Sequence, residues 1–165
     1  MKISIGIDIG ADGAYCIIDD NGLHYGKMPR VADGEIDLHG LAMRICSNED
    51  DTSVIVIEDL HSVFGSSAKS NFEFGKNNGL IIGMIQMLQI PYLKVAPKKW
   101  QKEMWEGIRP VEIPVKGKTN KDGSQKYKID TKATSLIAAR RLFPKETFLA
   151  TERSKVPHDG IVDAV

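Results

Sequence analysis

From Ile3 to Ile9 every second residue is isoleucine, with Ser4, Gly6 and Asp8 between them. A period of two predicts a strand. "GADG" (10–13) makes a turn, "AYCIID" (14–19) a second strand, "DNG" (20–22) a tight turn and "LHYGKM" (23–28) a third strand. Three strands on short turns predict an antiparallel meander. Residues 36–47 place apolar side chains near helical spacing. "SVIVIED" (53–59) is almost wholly apolar, as a strand covered on both faces should be. Residues 61–70 suggest a loop, and 71–89 a long helix in which Gly75, Gly79 and Gly83 recur every fourth residue.

Further along, 91–97 predicts a short strand and 97–105 a short helix opened by Pro97. Residues 130–144 predict a helix with Asp130 as N-cap. "ETFLA" (146–150) predicts a short strand, and a last helix begins within 156–165 after Pro157. Between them, "IRPVEIPVKGKTNKDGSQKYKI" (108–129) lacks a helical apolar face and is rich in lysine. It predicts an excursion, a β-ribbon turning at "NKDGS". A meander followed by parallel strands with crossover helices makes an α/β fold with a mixed sheet in three layers. We expect residues 1–165 to be one domain carrying that excursion.

Composition narrows the class. The chain has 165 residues, 42% hydrophobic and 27% charged, as in soluble globular proteins. No apolar run approaches the ~18 residues of a membrane span, and the N-terminus enters strand pattern without a signal-peptide layout. Cys16 and Cys46 have neither disulfide-framework nor metal-ligand spacing. A cytoplasmic protein is expected. Net charge is zero, yet residues 1–90 hold 6 Lys/Arg against 13 Asp/Glu, while residues 91–165 hold 16 against 9. The split suits either a basic surface for an anionic partner or charges evened out by folding.

Asp8 is the residue that needs a reason, since it interrupts an apolar strand. Glu58 ends the run "VIVIE", and Asp159 and Asp163, four apart, share a helix face. If the first and fourth strands are neighbours and the last helix packs toward them, four carboxylates converge. Such a cluster is costly by itself. It makes chemical sense around hard divalent cations such as Mg²⁺, with Mn²⁺ as substitute, in a pair roughly 4 Å apart. Singly, each acid has a plainer explanation as a solvated strand end or a helix cap.

The stretches "IGIDIGADGAYCIID", "VIVIED", "FGKNNGLIIGMI", "VAPKKWQKEM", "KATSLIAARRLFP" and "HDGIVDAV" together resemble the RuvC-like Holliday-junction resolvases in their short bacteriophage form. These belong to the RNase H-like superfamily. The resemblance spans most of the chain in the right order and leaves the lysine-rich excursion unmatched. It implies a mixed five-stranded sheet, a three-stranded antiparallel meander plus parallel strands, with helices on both faces. It also implies a structure-selective endodeoxyribonuclease with two Mg²⁺ ions per active site. Such an enzyme resolves branched DNA by symmetric phosphodiester hydrolysis and leaves 5′-phosphate nicks. Asp8 and Glu58 take the strand ligand positions and Asp163 the final helix position. Well-known members space the last pair three apart, which selects Gly160, a residue with no ligand atom. Asp159 is the favoured fourth ligand and His158 the runner-up. The helix stops within one turn of Asp163, which predicts fraying there.

For DNA, the candidates are Lys98, Lys99, Lys102, Lys116, Lys118, Lys121, Lys126, Lys128 and Lys155 on phosphates. By resemblance Phe64 is a wedge at the junction centre, unless it anchors its loop to the core. Trp100 and Trp105 suit packing better than base stacking. Symmetric cleavage of a four-way junction implies a homodimer. Helix 71–89, with its glycine row and Ile81, Ile82, Met84 and Ile85, is the candidate interface, unless that face is monomer core. Two other functions compete: a non-catalytic junction-binding relative, and an actin-like ATPase, for which the chain is too short.

Overall fold

The computed structural model describes residues 3–10, 12–46, 54–59 and 67–165. The chain divides into two compact units, residues 1–97 with 148–165, and residues 98–147.

The first unit is built on a five-stranded sheet: β1 (Ser4–Asp8), β2 (Ala14–Asp19), β3 (Gly22–Lys27), β4 (Val54–Glu58) and β5 (Tyr92–Val95). Their order is β3-β2-β1-β4-β5. The β1–β2 and β2–β3 pairs are antiparallel, and the β1–β4 and β4–β5 pairs are parallel. The meander and the mixed sheet read from the sequence are therefore present. Alternation sends Ile3, Ile5, Ile7, Ile9, Ile55 and Ile57 to one face. There they bury against Leu41 and Ile45 of α1 (Leu38–Ile45) and Ile81, Met84 and Ile85 of α2 (Ala68–Met87). Each such side chain, fully buried, is worth about 2 kcal/mol of transfer free energy, so this face anchors the unit.

The opposite face carries Gly6, Asp8, Ala14, Cys16 and Tyr25, which the strand register sets side by side. It is covered by α5 (Asp159–Ala164), which lies over β1, β2 and β3. Phe148 packs there too: it is fully buried, stacks on Tyr25 with ring centroids 5.9 Å apart, and is tethered by its N–H, which donates to Tyr25 Oη at 3.1 Å. Burial pushes the Cys16 thiol up to about 12, so it behaves as a small apolar residue.

Three expectations change. Residues 146–150 form no strand, because Phe148 adopts φ 56°, a left-handed conformation that cannot continue one. The long helix begins at Ala68, three residues early, with Ser67 Oγ accepting from the Ser70 N–H at 3.1 Å as N-cap. Ile81, Met84 and Ile85 face the sheet and so are core residues. The glycine row is on the other side of α2.

The second unit holds α3 (Pro97–Met104, from its second residue), the ribbon strands β6 (Glu112–Thr119) and β7 (Gln125–Ile129), and α4 (Thr131–Leu142). Asp130 caps α4, as expected, through its Oδ1 and the Ala133 N–H. Thr134, buried on α4, accepts from the Val111 N–H at 3.0 Å and donates to the Asp130 carbonyl at 2.7 Å. Arg141 donates to the carbonyls of Glu106 and Met104, satisfying orphan groups at the end of α3. Trp100 and Trp105 meet edge to face, centroids 6.4 Å apart, which fits packing. The excursion at 108–129 is an antiparallel ribbon inside this unit. No helix among the described residues is long and apolar enough to cross a membrane.

Candidate active site

The site is built on the β1–β4 seam. The parallel register runs Ser4↔Val54, Ile5↔Ile55, Gly6↔Val56 and Ile7↔Ile57. Asp8 and Glu58 are the next residues on each strand, so both carboxylates leave the face opposite Ile7 and Ile57, at the same end of adjacent strands. Strand spacing sets their backbones roughly 5 Å apart.

The last helix docks on that same face. Two glycines permit it. A Cβ on Gly6 would strike the carbonyl of Ala164, so β1 and the end of α5 touch backbone to backbone. A Cβ on Gly160 would strike the carbonyl of Asp12 and come within 2.9 Å of Asp8 Oδ2. The first turn of α5 therefore rests directly against the Asp8 carboxylate. Position 160, which the resemblance drawn from the sequence would make a ligand, has neither a donor atom nor room for a side chain.

Asp8 is half-buried. Its Oδ1 accepts from the Gly10 N–H at 2.9 Å. Burial pushes its pKa above the usual carboxylate range, the Gly10 N–H opposes this, and the charge of Asp12 adds to it. Asp12 was not singled out from the sequence. It sits in the "GADG" turn, one helical turn's worth of residues past Asp8, and a second acid so close behind the first was the available signal.

His158 is the N-cap of α5, its Nδ1 accepting from the Ile161 N–H at 3.4 Å. That bond requires an unprotonated Nδ1, which leaves Nε2 as the ring nitrogen open to another partner. Asp159 begins α5 and Asp163 lies one turn on; both are exposed, while Gly160, Ile161, Val162 and Ala164 are buried. The helix holds through Ala164, and the Val165 N–H bonds the Ile161 carbonyl at 3.2 Å.

Among the described residues, no three His, Cys, Asp or Glu side chains stand close enough as they are to hold a metal ion. The donor chemistry still fits a divalent cation. Asp8 is disfavoured as an anion by burial and by Asp12, and hard carboxylate oxygens of Glu58, Asp159 and Asp163 are carried on the elements around it.

Lys98, Lys99 and Lys102 are exposed on α3, and Lys116, Lys118, Lys121, Lys126 and Lys128 are exposed on the ribbon region, all in the second unit. Lys155 is exposed in the first unit, on the segment leading into α5. Phe64 lies outside the described residues.

No protein-family model matches the chain, and no curated protein matches it. Solved structures do. The chain is similar to Thermus thermophilus RuvC in complex with a Holliday junction substrate, with a TM-score of 0.55 and 12% identity over 99% of this chain and 90% of that one. It is similar also to a second Thermus thermophilus RuvC structure, with a TM-score of 0.51 and 14% identity over 98% of this chain and 90% of that one. The chain has a RuvC-like fold of the RNase H-like type.

Proposed function

We propose that the protein is a metal-dependent endonuclease that resolves branched DNA, four-way junctions above all, with forks and flaps as further substrates. One observation carries the reading: the β1–β4 register sets Asp8 and Glu58 on one face, and α5 docks on that face with Gly160 against Asp8. The likeness to a RuvC bound to a Holliday junction supports it.

In this reading Asp8, Glu58, Asp159 and Asp163 hold two Mg²⁺ ions, or Mn²⁺ in their place, with His158 Nε2 as the alternative to Asp159. A divalent cation would offset the repulsion among these carboxylates. Held there, the ions would supply charge that favours water as nucleophile and steadies the departing 3′ oxygen. The chain's own part is positional. The Gly10 N–H orients Asp8, the His158 cap fixes the first turn of α5, and the apolar face of the sheet holds the two strands in register. Lys98, Lys99, Lys102, Lys116, Lys118 and Lys155 bind backbone phosphates, and Phe64 is the wedge at the branch point. The two units together act as one cytoplasmic nuclease domain.

The experiment is cleavage of a synthetic four-way junction with Mg²⁺. Paired nicks at symmetric positions, each with a 5′ phosphate, are expected. Tight junction binding without any nick, at every Mg²⁺ and Mn²⁺ concentration tried, would favour the non-catalytic junction-binding alternative.

Two nicks need two sites, hence a homodimer. On α2, no described atom lies within 4 Å of where a Cβ would sit on Gly75, Gly79 or Gly83. Phe72, 70% exposed, and Met87, 86% exposed, flank that row. This side is opposite Ile81 and Ile85, and it is where two copies of α2 can approach closely. Gly79→Lys is expected to give a folded monomer by sedimentation, since the position is open within one chain. A dimer of unchanged affinity would remove α2 as the interface.

A further inference from the structure

The β6–β7 ribbon has two unlike faces. Cross-strand pairs Glu112↔Ile129, Ile113↔Lys128 and Pro114↔Tyr127 fix which side chains share a side. Glu112, Pro114, Tyr127 and Ile129 lie together on one face, the carboxylate at its Ile129 end, with Tyr127 54% and Ile129 44% exposed. Ile113 lies on the other face with Lys128, and Lys126 follows by alternation. Between the Pro114 and Thr119 pairs the register shifts, β6 bulging opposite Lys126. The bulge is organised: Gln125 Nε2 donates among the carbonyls of Val115, Lys118 and Lys126, at 3.0, 3.3 and 2.9 Å. The turn is organised as well, with Asp122 Oδ1 accepting from Ser124 N–H and Oγ at 3.0 and 2.7 Å.

The ribbon thus holds an aromatic ring, flanked by two apolar side chains, out in solvent on a stiffened support. Residues 112–129 carry five lysines against Glu112 and Asp122. That charge decides the occupant. A second copy of the ribbon would bring five more lysines to the contact, and a purely apolar partner would leave them unmatched. A strand of DNA answers both features, since bases stack on exposed rings and phosphates pair with lysine. A base within a duplex is already stacked on its neighbours, so the ring is of use only to an unpaired one.

We propose that Tyr127, flanked by Pro114 and Ile129, is a stacking platform for an unpaired DNA base, with Lys116 and Lys118 of the bulge and Lys121 of the turn holding the neighbouring phosphates. This rests on the reading of the chain as a protein of branched DNA, in which strands part at the branch point.

The test uses the full chain with fluorescent oligo(dT) and with a duplex of equal length. Tyr127→Ala is expected to weaken oligo(dT) binding about tenfold, whereas Tyr127→Phe, which keeps the ring, stays within about twofold of the parent. Duplex affinity stays within about twofold in both variants, and thermal midpoints are unchanged because the side chain is exposed. An oligonucleotide carrying 5-iodouracil should crosslink to Tyr127. Equal losses on both DNAs, no loss with Tyr127→Ala, or crosslinks confined to other segments would overturn the platform. Junction nicking by the parent protein is scored separately. Nicking without the Tyr127 signature defeats the platform alone; the signature without nicking supports the platform and defeats the nuclease.

Discussion

Asp8→Asn is expected to lower Mg²⁺-dependent junction nicking by at least about a thousandfold, equivalent to roughly 4 kcal/mol of transition-state stabilisation. The substitution keeps the shape of the side chain and an oxygen for the Gly10 N–H, but removes the charge a cation needs. Stability should move the other way. In the metal-free protein, burial and Asp12 hold the Asp8 carboxyl above its ordinary range. The folded state therefore binds that proton more tightly than the unfolded state, and folding stability falls as pH rises from about 3.9 through the folded pKa. Asparagine has no such penalty. Without metal, Asp8→Asn should melt at or above the parent's midpoint near neutral pH, with the gap closing as pH falls toward the ordinary carboxylate value. Added Mg²⁺ should raise the parent's midpoint and leave the variant's in place. Thermal melts with and without Mg²⁺ across pH, beside the nicking assay, check all of this. A variant that still nicks at a tenth of the parent rate would remove Asp8 from the chemistry.

Gly6→Ala should be among the most damaging single-methyl changes in the chain. The new Cβ meets the carbonyl of Ala164, which is backbone, so no rotamer change relieves the clash. Either α5 lifts from β1 or the sheet bends. The expected cost is about 3 kcal/mol, near the upper end for overpacking, and for a chain of this size the thermal midpoint should fall roughly 10 °C. Nicking should fall with it, because Asp159 and Asp163 travel on the displaced helix. Gly79→Ala is the matched control within one chain: no described atom lies near the added methyl, and alanine is the better helix former by up to about 1 kcal/mol. Circular-dichroism melts of the two variants distinguish these cases. A Gly6→Ala protein with the parent's midpoint and activity would mean that α5 does not seat against β1.

The strands were legible because their patterns were unambiguous. Ile3 to Ile9 could hardly be anything but a strand, and Asp8 stood out as the charge that broke it. The docking of α5 was harder to read. It depends on the absence of side chains at Gly6 and Gly160, and a missing side chain leaves little periodic signal. "ETFLA" was misread because alternation cannot register a left-handed φ at Phe148, where stacking on Tyr25 overrides strand propensity. In α2 the apolar residues crowd so closely along the helix that sequence alone did not separate core from open surface; Ile81, Met84 and Ile85 proved to be core. The ribbon announced itself by its lysines and its "NKDGS" turn, while its bulge around Gln125 had no composition signature.

The first unit is assembled from residues 1–97 and 148–165, and that discontinuity has a consequence for biosynthesis. A growing polypeptide carries β1 and β4, with Asp8 and Glu58, long before α5 is synthesised, so on the proposed reading the site is incomplete until residues 148–165 emerge. Latency of this kind needs no inhibitor: the proposed nuclease would become competent only once α5 has come back to close over β1.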